Sequence, residues 1–263
     1  MSAQRYKITL AYDGSAFHGW QKQEPPDEEP LRTVQGELES VLVRLLGTPK
    51  DQLRLMGASR TDSGVHALGQ VAMFDAETTI PIDRMPQAIN ARLPEDVEVR
   101  RAEVVPSGFD VIGDVTNKQY LYRVYNAQKR PLWSRNAVYH CFSAELDVLK
   151  MNDAARRLIG THDIEGFAAA GHGRESTVRT IYDCMAFVDP THPDEVHMTV
   201  QGSGFLYNSV RIIAGTLVEV GRGRFPPKQI DAILKTADRR LAGPTLPPQG
   251  LCLEWVSYAS RGD

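Results

Sequence analysis

Apolar and polar positions alternate almost from the first residues. Tyr6, Ile8, Leu10 and Tyr12 are interleaved with Lys7, Thr9 and Ala11, the period of two expected of a half-buried strand, and Asp13-Gly14 then supplies a turn. After the polar stretch Glu24 to Pro30, Thr33 can cap a helix whose apolar positions Val34, Leu38, Val41, Leu42 and Leu45 fall on one face, with Gly47 closing it. Leu53 to Ala58, Gln70 to Phe74 and Val97 to Val105 read as strands, with a short helix over Asp83 to Leu93. A similar order returns beyond Pro106 to Thr116. Tyr120, Tyr122 and Val124 share one face of a strand over Lys118 to Asn126. Ser143 precedes a helix carrying Val148, Met151, Ala155, Leu158 and Ile159, closed by Gly160. Strands over Thr177 to Val188 and Val196 to Gln201 follow, and then Leu206, Val210, Ile213, Leu217 and Val220 make another helical stripe. A short helix over Pro226 to Lys235 and a strand over Leu251 to Tyr258 end the pattern. The elements predict an α+β chain in two halves, 1–110 and 111–263, with antiparallel sheets and helices on one face, and no sequence repeat.

Composition narrows the class. The chain has 263 residues, 42% hydrophobic and 24% charged, which is ordinary globular usage and excludes a disordered or fibrous chain. No run approaches the length of a membrane span, and MSAQRYKITL enters the alternating pattern in place of a signal-peptide stretch, so a soluble, cytoplasmic protein is expected. Cys141, Cys184 and Cys252 are odd in number and contain no C-x-x-C pair, against a disulfide framework or a thiolate zinc site. The formal charge of -3 disfavours a protein that simply coats nucleic acid. Its distribution points the other way. Between Thr116 and Phe142 there is no acid, while Lys118, Arg123, Lys129, Arg130 and Arg135 are interleaved with Tyr120, Tyr122, Tyr125, Trp133 and Tyr139. Cations that meet phosphates and rings that stack on bases are what a nucleic-acid groove needs; a solvated strand with surface cations is the plainer alternative.

The densest polar segment is SRTDSGVHALGQ, Ser59 to Gln70, between two predicted strands. It reads as a loop outside the core, presenting Arg60, Asp62 and His66 beside Gly64 and Gly69. A carboxylate can act as a covalent nucleophile, and a nearby arginine favours its ionised form; an Asx turn, with Asp62 bonding local backbone, fits the same residues. Rival chemistries fail on spacing. Ser63, His66 and Asp62 lack a G-x-S-x-G elbow, an aspartyl phosphatase would need further carboxylates for Mg²⁺, and His18, His66, His140, His162, His172, His192 and His197 form no H-E-x-x-H. There is also no G-x-G-x-x-G after a strand and no P-loop, so neither a metal nor a nucleotide cofactor is expected.

SRTDSGVHALGQV closely resembles the G-R-T-D-A-G-V-H-A-x-G-Q signature of the tRNA pseudouridine synthase A family. YDGSAFHGWQKQ, TVQGELE, the Tyr120-x-Tyr122 strand, TVRTI, GFLYNSVRIIAGTLVEVG and GLCLEWV also fall in family order, so the resemblance spans essentially the whole chain. It implies that Asp62 is the nucleophilic aspartate, Arg60 the arginine two residues before it, Tyr120 the active-site tyrosine, Arg211 the arginine that partners the aspartate, and Leu251 a pocket-lining leucine. The sequence departs from the pattern at Ser59 and Ser63, where Gly and Ala are usual, and in FDVIGDV, where Ile112 stands in place of an arginine and leaves one RNA contact of the family without its cation.

The implied fold is two ferredoxin-like halves sharing one continuous, mainly antiparallel sheet, in a homodimer whose subunits both grip the RNA. The implied reaction converts uridine to pseudouridine at positions 38 to 40 of the tRNA anticodon stem-loop. It needs no cofactor, because breaking N1–C1′, rotating the uracil and joining C5 to C1′ is neither oxidation nor energy-consuming. Asp62 would attack C1′ or C6, Arg60 would help flip the base, Tyr120 would stack on the uracil, and Arg211, on the polar face of its helix one turn after Tyr207, would pair with Asp62. Taken without the resemblance, Tyr120 is as well a core aromatic and Arg211 a surface cation. A non-catalytic RNA-binding module of the RNA-recognition-motif kind would keep the basic aromatic strand without needing Asp62, Arg60 and Arg211, and a small-molecule hydrolase would need no basic groove.

Overall fold

The computed structural model describes residues 3–23, 29–142, 145–171, 173 and 175–259. In chain order the elements are β1 (Gln4–Tyr12), α1 (Val34–Leu46), β2 (Met56–Gly57), β3 (His66–Ala76), α2 (Met85–Asn90), β4 (Val97–Val105), β5 (Val115–Tyr125), β6 (Tyr139–His140), α3 (Val148–Arg156), β7 (Gly160–Asp163), β8 (Val178–Val188), β9 (Glu195–Gly202), α4 (Ser209–Gly221), α5 (Gln229–Thr236) and β10 (Leu251–Tyr258). This is the α+β class that the hydrophobic pattern implied. Two compact units divide the chain: Met1–Thr116 with Leu253–Asp263, and Asn117–Cys252.

In the first unit the strand order is β4-β1-β3-β10, with β2 paired to β3. The alternation in β1 does what it predicts: Tyr6, Ile8, Leu10 and Tyr12 are buried, and β1 lies antiparallel to both β3 and β4. Leu10 pairs with Gln70 and Tyr12 with Ala67, so β3 carries one extra residue there, a bulge immediately after the polar loop. The sequence expectations for α1 hold at both ends. Thr33 Oγ1 accepts from the Gly36 N–H, Gly47 closes the helix in the left-handed region at φ 65°, and Val34, Leu38, Val41 and Leu42 are buried while Leu45 is half-buried. A satellite core of Ala58, Val71, Met73, Phe109 and Val111 lies beneath FDVIGDV, whose Ile112 side chain is exposed.

The second unit has the order β5-β9-β8-β7, antiparallel throughout, with β6 added parallel to β5. Its α3 packs on β8 and on α4. Every residue of α4 except Arg211 is buried, including Thr216 and Glu219, so the predicted amphipathic stripe is one face of a helix enclosed nearly all round. That enclosure depends on small residues. A Cβ on Gly215 would run into the carbonyl oxygen of Pro244, and one on Gly243 would meet the Gly215 backbone, while the Gly243 N–H donates to Thr216 Oγ1 at 2.9 Å.

Several boundaries differ from the sequence reading. The strand expected over Leu53 to Ala58 is only Met56–Gly57, because β2 pairs with just two residues of β3; Leu53 and Leu55 are buried from an irregular segment. β3 starts at His66, four residues earlier than Gln70, so the last five residues of the segment read as a loop are strand, and Gln70 is fully buried. α4 begins at Ser209, which leaves Leu206 and Tyr207 outside it. Ser143 lies outside the described residues, and the cap of α3 is Asp147, whose carboxylate accepts from the Lys150 N–H. β6 and β7 were not anticipated, since two residues, or the polar sequence GTHD, carry no alternating signal.

Gly215→Ala is expected to lower the stability of the folded chain by about 1–3 kcal/mol through overpacking. Chemical denaturation of the two proteins measures it, and equal midpoints would show that the α4 contact yields without strain.

Candidate active site

Asp62 sits on an irregular loop that the first unit holds from several sides. The turn at Asp62 is closed by the Val65 N–H donating to the Asp62 carbonyl at 3.1 Å, with Gly64 at φ 78°, where a side chain would be strained. Upstream, the fully buried Gln70 side chain takes the place of a backbone partner: its Nε2 donates to the Ser59 carbonyl at 2.7 Å and its Oε1 accepts from the Ser59 N–H at 3.2 Å. Thr61 is buried, and its Oγ1 lies 2.7 Å from the Tyr12 hydroxyl, while its carbonyl accepts from the Trp20 N–H at 3.0 Å. Downstream, the Ser63 hydroxyl and the Gly64 N–H both donate to the Phe17 carbonyl at 3.2 Å. Ser63, where the family usually has alanine, thus adds a bond of its own to the frame.

These bonds give the segment YDGSAFHGWQKQ a physical role. Gly14 and Gly19 pass so close to the Asp62 loop that a Cβ would collide with the Val65 and Thr61 carbonyls, and Gly19 also has φ 91°. Gln35 Oε1 accepts from the Lys22 N–H and Gln35 Nε2 donates to the Leu55 carbonyl, which ties the start of α1 to the same frame. His66 belongs to this support: its Nδ1 accepts from the Gly14 N–H at 3.1 Å. None of Tyr12, Thr61, Trp20 and Gln70 was singled out from the sequence as shaping the site. Gln70 could have been, because it opens a run that is otherwise apolar through Phe74, and a polar residue buried in a strand must find partners.

Within this unit Arg60 is exposed and Asp62 half-buried, two residues apart on one loop. The other three candidates belong to the second unit. Tyr120 is buried on β5, opposite Val200, with its ring edge-on to Phe205 at 5.3 Å. Leu251 is buried at the start of β10. Arg211 is the single residue of α4 that reaches the surface, and it does not lie free along it. Its Nε donates to the Leu246 carbonyl and its Nη1 to Asn208 Oδ1, both at 2.7 Å. Asn208 itself is left-handed at φ 60°, which turns its side chain back toward the helix. The plain reading of Arg211 as a solvated cation on a polar helix face is therefore corrected, since α4 has no such face. Tyr122 beneath it is buried, which pushes its phenol well above the usual tyrosine range against the opposing charge of Arg211, and its hydroxyl donates to the Pro247 carbonyl at 2.7 Å.

The basic aromatic segment separates into two parts. Arg123 forms a paired set of bonds with the buried Glu195 at 2.9–3.2 Å, so its charge is taken up inside the protein. Glu195, His197 and Asp189 come within 4.8 Å of one another, a grouping of metal-ligand types that sequence spacing did not anticipate. Both Glu195 oxygens face the Arg123 guanidinium there, and Asp189 accepts from Thr191. Lys129, Arg130, Trp133 and Arg135 are exposed on the loop between β5 and β6. Among the described residues no helix is long and apolar enough to cross a membrane.

An aspartate on a braced loop with an arginine beside it defines a candidate site in the first unit, and the second unit holds an arginine pinned at Leu246 and Asn208. The family described as tRNA pseudouridine synthase matches residues 8–112 and 154–259. The chain is 44% identical over 255 residues to tRNA pseudouridine synthase A of Bacillus subtilis (strain 168), covering 97% of this chain and 99% of that protein. It is 44% identical to the protein of that name from Anoxybacillus flavithermus, over 97% of this chain and 98% of the relative, and 41% identical to that of Caldicellulosiruptor saccharolyticus, over 95% and 98%. The chain belongs to the tRNA pseudouridine synthase family.

Gln70→Leu keeps the volume and removes both bonds to Ser59. It is expected to cost about 1–3 kcal/mol of stability, because two backbone groups lose their partners, and to reduce turnover on tRNA more than it reduces tRNA affinity. Thermal unfolding and single-turnover kinetics report the two effects, and full turnover in a folded Gln70→Leu protein would show that the reaction does not depend on the bonds between Gln70 and Ser59.

Proposed function

We propose that this chain isomerises uridine to pseudouridine in the anticodon stem-loop of tRNA, with the Asp62 carboxylate as nucleophile. What supports the reading above all is that Asp62 occupies a loop held by Gln70, Tyr12, Trp20 and Phe17 in a chain of this family. A loop carrying an ordinary Asx turn has no need of so many distant partners. Asp62 forms a bond to the target nucleotide, the N1–C1′ bond breaks, the uracil rotates, C5 joins C1′, the bond to Asp62 breaks to restore the carboxylate, and the proton lost from C5 is balanced by one taken up at N1. Product and substrate are isomers, so neither oxidant nor reductant enters and no cofactor is required.

A uridine within a stem must leave its stack to react. Arg60, exposed beside Asp62, is suited to hold the displaced strand. By the family resemblance, Tyr120 is the tyrosine that stacks on the uracil and assists removal of the C5 proton, Leu251 the pocket-lining leucine, and Arg211 the arginine that partners the aspartate. Pinning by Leu246 and Asn208 gives the Arg211 guanidinium a fixed direction, which lowers the entropy lost when it meets an anion. The working form is a cytoplasmic homodimer in which both subunits grip one RNA, as the family resemblance implies.

Asp62→Asn preserves shape and removes the attacking anion, so turnover is expected to vanish while tRNA affinity stays within a few-fold. Asp62→Glu is expected to fail as well, since about 1 Å of misplacement is costly in an oriented site. The measurement is tritium release from a tRNA transcript labelled at C5 of uridine. A wild-type protein that binds tRNA and releases no label would make the chain an RNA-binding module instead, and an active Asp62→Asn would move the nucleophile elsewhere.

A further inference from the structure

The loop between β5 and β6 presents an aromatic ring that the fold itself does not use. Its two ends are stapled together: the Cys141 N–H donates to the Tyr125 carbonyl at 2.9 Å, Asn126 Nδ2 donates to the Cys141 carbonyl at 3.1 Å, and the His140 ring nitrogen lies 2.8 Å from the Ala127 carbonyl. Pro131 and Val138 are buried, and bonds from Leu132 N–H to the Arg130 carbonyl, Arg135 Nη1 to the Leu132 carbonyl and Ala137 N–H to the Ser134 carbonyl tighten the tip. Compact loops with closed ends are a recurrent place for function. Trp133 stands at this tip with 99% of its surface exposed, beside Leu132 at 66%. An indole is the side chain with most to gain from burial, and here the chain holds it in water on a well-bonded turn.

Charge says what covers it. The loop carries Lys129, Arg130 and Arg135 and no acid, in a protein of net charge -3. A second copy using this surface against itself would set three cations opposite three more. A nucleic acid supplies phosphates for the cations and a base for the ring. We propose that Trp133 stacks on an unpaired base of the tRNA, outside the reacting nucleotide, while Lys129 and Arg130 contact the flanking phosphates. The inference rests on the tRNA reading above and deepens it by naming a contact that serves binding and not the reaction.

Stacking is uncharged and phosphate contact is not, so the two roles separate in a salt series. Binding of the full chain to an unmodified tRNA transcript is measured at several salt concentrations for wild type, Trp133→Ala, Trp133→Phe and the double variant Lys129→Ala with Arg130→Ala. Trp133→Ala is expected to bind about tenfold more weakly at every salt concentration with an unchanged log–log slope, and Trp133→Phe to recover most of the loss. The double variant is expected to lose about two from the slope. Acrylamide quenching of tryptophan emission should fall when tRNA is added to wild type and not when it is added to Trp133→Phe. Equal affinity of Trp133→Ala and wild type would overturn the proposal. So would a loss accompanied by a smaller sedimentation coefficient for Trp133→Ala, which would assign the ring to contact between copies. Binding is read without turnover, so a wild type that binds tRNA and releases no tritium overturns the enzyme reading while leaving this one standing.

Discussion

A buried amide must have its hydrogen bonds met, and in the first unit the Gln70 side chain meets them on the backbone of Ser59. That requirement couples a strand to a loop that has no ladder of its own. Gln70 is fixed because β3 is fixed between β1 and its neighbours, and Ser59 is fixed because Gln70 is. Thr61 is then held between the Tyr12 hydroxyl and the Trp20 N–H, and the turn after Asp62 rests on the Phe17 carbonyl. The position of Asp62 therefore descends from the sheet through side chains, with the bulge in β3 giving the chain its change of direction. Removing one member leaves buried partners unsatisfied, so the frame is held as a unit.

The second unit fixes its arginine by a different means. The helix that carries it is enclosed, and the segment from Gly243 to Leu246 runs against it closely enough that neither Gly215 nor Gly243 tolerates a side chain. The same segment supplies the carbonyl of Leu246 to the guanidinium. Close backbone packing thus brings the Leu246 carbonyl within reach of the guanidinium, and the bonds to Leu246 and Asn208 turn a long, flexible side chain into a directed one.

Much of this was legible in the sequence wherever periodicity was clean. β1, β4, β10 and the caps of α1 fall where alternation, Thr33 and Gly47 put them. Legibility failed where a residue's environment is decided by distant chain. His66 to Gln70 looks like loop because it is polar and glycine-containing, yet it is strand, since its glycine meets the backbone of Glu254 and its glutamine meets Ser59. Arg123 looks like one more RNA-facing cation until Glu195, 72 residues away, is seen beside it. The basic aromatic segment illustrates the general point: alternation assigned Tyr120 and Tyr122 to one face correctly, but only the fold distinguishes rings that are packed from a ring such as Trp133 that is exposed.

The membership of β10 has a consequence for how the protein is made. All but the first two residues of that strand belong to the first unit, although the whole second unit is synthesised before them. β3, which carries Gln70, has β10 as its neighbour on one side. During translation the part of that edge which β2 does not cover waits for β10 while more than a hundred residues emerge, displaying unpaired backbone groups of the kind that recruit foreign strands. The first unit is thus completed only after the second has been made, and β3, which carries Gln70, gains its neighbour β10 only then. A nascent chain interrupted before Leu251 lacks the strand that closes the β3 edge, so the sheet that carries Gln70 is finished only by residues that follow the whole second unit.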